Sequence, residues 1–177
     1  MTHHIRFALG LLGALALAAC MTTEPSGSTG RFSADMATNT VRVDTASFSG
    51  IEGRDLTVPP RQIASDIMRA LNTRMDGTGP SNAVIDVRLD KVELTSPGSA
   101  FAFGGPSAIE ARVTVTDAES GALLFGPRNI RGTSETVRLP GVIGVATSPT
   151  PERDYDQTVQ GFAAAVHSAI SGTASDT

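Results

Sequence analysis

A Ser-His-Asp hydrolase on this chain would have to use His167 as its base, because the other two of the three histidines, His3 and His4, stand at the extreme N-terminus. No Gly-x-Ser-x-Gly turn is present to offer the nucleophile, and His167 lies beside Val166 at the edge of an apolar helical stripe. It therefore reads as a boundary histidine. Two carboxylate pairs could act as acid and base. Asp86 and Asp90, however, fall on the polar side of an alternating strand, and Asp154 and Asp156 fall in the first turns of a helix. Gly104-Gly105 and the segment Gly141 to Gly144 lack the spacing and the Lys of a phosphate-cradling loop. Lys91, the single lysine, reads as a surface strand charge. One Cys among 177 residues excludes an internal disulfide framework and a multi-cysteine zinc site. The expectation is a non-enzymatic protein with no catalytic residue, no metal and no cofactor.

That single Cys has a more specific context. Met1 to Arg6 are polar with one firm positive charge, Phe7 to Ala19 run unbroken through Phe, Ala, Leu and Gly, and Leu17-Ala18-Ala19-Cys20 follows. The 13-residue apolar run is shorter than the ~20 residues a spanning helix needs, so it reads as an export signal. Leu-Ala-Ala-Cys resembles the lipobox of bacterial lipoproteins. That resemblance implies cleavage before Cys20 and acylation of Cys20, hence a chain held on a membrane surface and facing the periplasm. By the sorting rule of the lipoprotein class, that resemblance also implies that Met21, in place of an inner-membrane-retaining Asp, favours the outer membrane over the inner. Residues 1–19 are thus expected to be the signal peptide, 20–38 the lipidated Cys with a flexible polar tether, 39–172 a single α+β domain and 173–177 a disordered tail.

Once residues 1–19 are removed, 13 basic and 18 acidic side chains remain, a net charge of −5. No basic cluster occurs, so nucleic acid is not an expected partner.

Alternation over Thr40 to Phe48 predicts a strand. Pro59-Pro60 opens a helix whose apolar stripe is Ile63, Ile67, Leu71 and Met75, ending near Asp76-Gly77. Ala83, Ile85, Val87 and Leu89 form the buried side of a second strand. Val92 and Leu94 then change parity, which predicts a bulge near Asp90-Lys91. Ile109 to Val115 and Ala122 to Phe125 flank Asp117-Ala118-Glu119-Ser120-Gly121 as a hairpin, and a further polar strand is expected over Ile130 to Val137. Thr150 caps a last helix that begins with Pro151, buries Tyr155, Val159, Phe162, Ala163, Val166 and Ile170, and ends at Gly172. This order predicts an α+β fold of two layers, an antiparallel sheet of about four or five strands with two helices packed on one face.

Over roughly Thr40 to Ser171, the hairpin with its Thr116 to Gly121 turn and the C-terminal helix after a Gly-rich loop are similar to small bacterial lipoproteins of uncharacterised families. More loosely, they resemble envelope-assembly lipoproteins of the curli-secretion and penicillin-binding-protein-activator groups. The resemblance implies a fold and an exported, membrane-tethered life, and it transfers no catalytic residue.

Two connections are apolar where loops are ordinarily polar. Pro97 to Pro106 contains two of the seven Phe, Phe101 and Phe103, and Leu139 to Val145 contains Val142 and Ile143. Either these segments pack on each other or continue the strands, or Phe101, Phe103, Val142 and Ile143 form a patch that docks on another envelope protein or on lipid. The expected function is a membrane-anchored binding or accessory component of an envelope transport, assembly or cell-wall machine. The alternative is a homo-oligomeric structural lipoprotein whose copies pair through a strand edge.

Overall fold

The computed structural model describes residues 38–75, 83–135 and 139–172. Cys20, the expected export segment, the expected tether as far as residue 37 and the expected C-terminal tail lie outside the described residues, whereas Thr38, expected as the last tether residue, opens the first strand. Among the described residues, no helix is long and apolar enough to cross a membrane.

The elements run β1 (Thr38–Asp44), β2 (Ile51–Glu52), α1 (Pro60–Arg74), β3 (Ala83–Glu93), α2 (Pro97–Ala102), β4 (Ala108–Asp117), β5 (Leu123–Thr133), α3 (Val142–Ala146) and α4 (Pro151–Ile170). One sheet takes the order β1-β3-β4-β5, with β2 joining the same edge of β3 as β1. The α+β class and the open sheet of five strands agree with expectation, but the sheet is mixed. β1 and β2 run parallel to β3, and only the β3-β4 and β4-β5 pairs are antiparallel. The physical reason is the connection: α1 carries the chain from β1 to its neighbour β3, and a helical crossover returns it to the starting end of the sheet.

Burial follows the two periodicities. Ile63, Ile67 and Leu71 of α1 and Tyr155, Val159, Phe162, Val166 and Ile170 of α4 close over Ile85, Val87, Leu89, Val113 and Val115. The predicted α4 face is buried residue for residue. The opposite face of the sheet is charged, with Arg42, Asp86, Arg88, Glu110, Arg112 and Arg131 along it. α4 approaches β5 closely because glycine stands at the contact on both sides. A Cβ on Gly161 would lie 1.8 Å from the Thr133 carbonyl oxygen, and one on Gly132 would lie 2.2 Å from the Phe162 Cα.

The bulge falls where the parity change placed it. Leu89 pairs with Ala111 and Lys91 with Glu110, so Asp90 is the extra residue, and Leu89, Val92 and Leu94 are all buried. Two expectations are corrected. The first strand stops at Asp44, not Phe48, because the Asp44 Oδ1 accepts from the Ala46 N–H and the Phe48 N–H donates to the Thr45 carbonyl, turning the chain. The two strands expected after the hairpin turn are one strand, β5. It continues past a cis Gly126-Pro127 peptide at a register shift opposite Val113 to Val115. The helix after Pro59 runs to Arg74 with Met75 as its C-cap, next to the expected end near Asp76-Gly77, which lies outside the described residues.

Candidate functional site

The sequence-derived catalytic candidates remain apart. His167 is exposed on the last turn of α4, where a basic group suits the negative end of the helix dipole. Lys91 sits between Glu52 Oε2 at 3.2 Å and Glu93 Oε2 at 3.0 Å. Those hydrogen bonds, with Glu93 the stronger influence, raise its pKa above the ordinary lysine value. Asp86 pairs with Arg42 on the open sheet face, and Asp90 is exposed on the bulge. Among the described residues, no group of three His, Cys, Asp or Glu side chains could hold a metal ion.

The two apolar connections come together at one end of the sheet. Pro97 to Ala102 forms α2, because the Ser96 hydroxyl caps it by accepting from the Ser99 N–H at 3.0 Å and Pro97 suits the first turn. Val142 to Ala146 forms α3. The Gly141 N–H donates to the Phe101 carbonyl at 2.8 Å and holds the two short helices side by side. The segments therefore do pack on each other, yet their large side chains point outward. Phe103 is 85% exposed, Val142 73%, Ile143 66%, Leu139 63% and Phe101 57%. Exposed large apolar residues gathered on two adjoining segments differ from apolar residues scattered singly over a surface, which need no explanation. The four residues singled out in the sequence, Phe101, Phe103, Val142 and Ile143, are all exposed on these two adjoining segments.

Beneath those segments lies a buried polar cluster whose meaning the sequence did not reveal. Asp154 on the first turn of α4 is fully buried, and its Oδ2 accepts from the Ser107 hydroxyl at 2.7 Å and lies 3.9 Å from Arg54 Nη1. Arg54, itself closed off from water, donates to the Pro149 carbonyl at 2.7 Å. The Ser107 hydroxyl accepts from the Thr95 N–H at 2.8 Å, and the Ser107 N–H donates to the Ser134 hydroxyl at 3.3 Å. Thr95 and Ser107 flank α2, while Ser134 and Pro149 flank α3. The cluster thus ties down the roots of both helices and presents their apolar sides on a fixed base. One signal was available: Asp154, Thr158, Phe162, Val166 and Ile170 recur every four residues, so Asp154 is in register with the buried stripe.

No family model matches the chain, and no curated protein matches it. Among solved structures, the chain is similar in fold to a presumptive lipoprotein from Caulobacter crescentus CB15, at 12% identity over 77% of this chain and 92% of that one, with a TM-score of 0.37. It is similar to the PelC dodecamer subunit from Paraburkholderia phytofirmans, at 11% identity over 80% of this chain and 91% of that one, with a TM-score of 0.39. A Xanthomonas campestris protein of the DUF330 family matches at 10% identity over 84% of this chain and 91% of that one, with a TM-score of 0.41. These matches do not show the resemblance to curli-secretion and penicillin-binding-protein-activator lipoproteins.

Proposed function

We propose that this protein is a lipid-anchored envelope protein, held through Cys20 and facing the periplasm, that works without catalysis as a binding or accessory component of an envelope machine. The observation that carries the reading is the apolar pole formed by α2 and α3. Two sequence-distant segments expose Phe101, Phe103, Val142 and Ile143 on adjoining short helices, whose roots a buried polar cluster around Asp154 ties down. The lipobox-like Leu17 to Cys20 supports the anchor, and Met21 supports the outer membrane as its place. The test is a photo-crosslinking side chain at Phe101 and at Phe103 in the lipidated protein in its own cells, with adducts identified by mass. A specific envelope component at either position supports the reading. Absence of any adduct at both positions overturns the docking role of the pole.

A second reading is favoured by one feature. β5 is a strand of 11 residues at the edge of the sheet, and among the described residues no strand pairs with its outer side, so copies of the chain could pair along it. Pro127 removes one backbone donor from that edge. A mass of the unlipidated domain that rises with concentration would support self-assembly, and a constant monomer mass would remove it.

A further inference from the structure

We infer that the α2-α3 pole rests on the lipid bilayer that holds the chain's own anchor, so that the domain touches the membrane at two points, the acyl chains of Cys20 and this apolar end of the sheet. The inference rests on the lipid-anchor reading and on the pole being the binding surface. Three observations lead to it.

The first is charge. From Thr95 to Ile109 and from Leu139 to Pro151 there is no Asp, Glu, Lys, Arg or His. Protein interfaces ordinarily carry a polar, charged rim around their apolar centre, whereas charge is what the hydrocarbon interior of a bilayer rejects. Phe103, at 85% exposure, stands clear of the fold as an inserting aromatic would.

The second is the state of the backbone, because polar groups that approach hydrocarbon must find partners within the protein. At this pole many of them do. The N–H groups of Phe103 and Gly104 donate to the Ser99 carbonyl, that of Gly141 to the Phe101 carbonyl, and those of Val145 and Thr147 to the Gly141 and Ile143 carbonyls. The Thr147 and Ser148 hydroxyls fold back onto the Ile143 and Gly144 carbonyls at 2.9 and 2.7 Å.

The third is reach. Thr38 pairs with Ala83 at the start of β3, whereas α2 follows Glu93 at its end, so the chain enters at the opposite end of the sheet from the pole. Those ten steps span about 33 Å at ~3.3 Å per strand residue. The 17 residues Met21 to Ala37 extend to at most about 58 Å at ~3.4 Å each, enough to let the far end come down onto the same bilayer. With the anchor already in place that second contact is intramolecular, and a weak apolar patch suffices.

The experiment uses the full mature chain, lipidated at Cys20 and reconstituted in vesicles of phosphatidylethanolamine and phosphatidylglycerol. Phe103→Cys labelled with bimane reports on the pole, and Arg112→Cys on the charged sheet face serves as the control. The expected result is loss of most bimane emission at position 103 when nitroxide-bearing lipids are included, with little change at position 112. Deleting Pro25 to Ser33 leaves eight tether residues, about 27 Å at the same ~3.4 Å each, too short for the far end to reach the bilayer, and the quenching at 103 is then expected to disappear. Protein that floats with vesicles but shows no quenching at 103 overturns the inference and leaves the anchor intact. Protein that does not float overturns the anchor reading itself. Quenching that survives the deletion overturns the assignment to the chain's own bilayer.

Discussion

Asp154 Oδ2 and Arg54 Nη1 lie 3.9 Å apart with 0% and 7% of their side chains exposed, and they join the start of α4 to the turn that follows β2. Removing one member of a buried ion pair leaves the other charge without compensation, which costs about 3–5 kcal/mol. Asp154→Ala is therefore expected to lower unfolding free energy by that order in a urea titration. The double variant Arg54→Met with Asp154→Leu is expected to recover most of the loss, because apolar replacement of a whole buried pair is often neutral. Equal instability of the single and double variants would show that the hydrogen bonds to Ser107 and Pro149, not the charges, hold the site.

The α4-β5 contact makes a second prediction in which two effects oppose one another. Gly161→Ala gains about 1 kcal/mol of helix propensity. The new Cβ, however, would sit 1.8 Å from the Thr133 carbonyl oxygen, and backbone cannot step aside as a side-chain end can. Overpacking typically costs about 1–3 kcal/mol, and this contact belongs at the upper end, so net destabilisation of about 2 kcal/mol is expected. Gly98→Ala, where the nearest atom is the Ser96 Oγ at 3.9 Å, serves as the comparison and is expected within about 0.5 kcal/mol of the parent.

Acid sensitivity is expected at the β4-β5 turn. The Asp117 Oδ1 accepts from the Ser120 N–H and hydroxyl, both at 2.7 Å, and from the Glu119 N–H at 3.2 Å. These bonds, the Ser120 N–H first, hold its carboxyl below the usual carboxylate range. A depressed folded pKa stabilises the fold above the unfolded value of about 4, and that contribution is lost as pH falls through the folded value. An NMR titration of the Asp117 carboxyl carbon should show a midpoint below that of a model Asp. A midpoint at or above it would mean that the turn bonds do not persist in solution.

Alkaline sensitivity is expected between the helices. The Tyr155 hydroxyl donates to Asp66 Oδ2 at 3.1 Å, and burial first, then the Asp66 charge, pushes its pKa well above the ordinary tyrosine value. Stability from this group is complete below the unfolded pKa of about 10 and falls as the pH rises above it, since the unfolded tyrosine ionises while the folded one does not. Tyr155→Phe should flatten that alkaline decline and cost about 1 kcal/mol at neutral pH. An unchanged alkaline limb in the variant would assign the decline to another group.

The pole should separate stability from binding. Replacing Phe101, Phe103, Val142 and Ile143 together by Ser removes side chains that are already at least 57% exposed, so each substitution is expected to change stability by no more than about 0.5 kcal/mol. Membrane or partner contact through the pole should be abolished. A variant that folds normally and keeps that contact would remove the pole from function. His167→Ala, on an exposed helix end, is expected to leave folding and binding as they are.

Local periodicity was enough to determine much of this molecule. The α1 and α4 stripes, the Thr150 cap with its Oγ1 accepting from the Arg153 N–H, and the change of parity at Leu89 to Val92 each rest on neighbours within a few residues. The sequence also determined that Phe101, Phe103, Val142 and Ile143 are apolar where loops are usually polar. Tertiary structure alone decided the rest. Strand direction follows from how the crossover closes, so alternation in Thr40 to Asp44 was silent on whether β1 runs parallel or antiparallel to β3. Whether the two apolar segments meet, and whether they face inward or outward, depended on β4 and β5 folding between them so that both land at one end of the sheet. The role of Asp154 depended on Arg54 arriving from a distant turn. A carboxylate at a helix start reads as a solvated dipole partner until the chain around it shuts out the water, and that closure is a property of the whole fold.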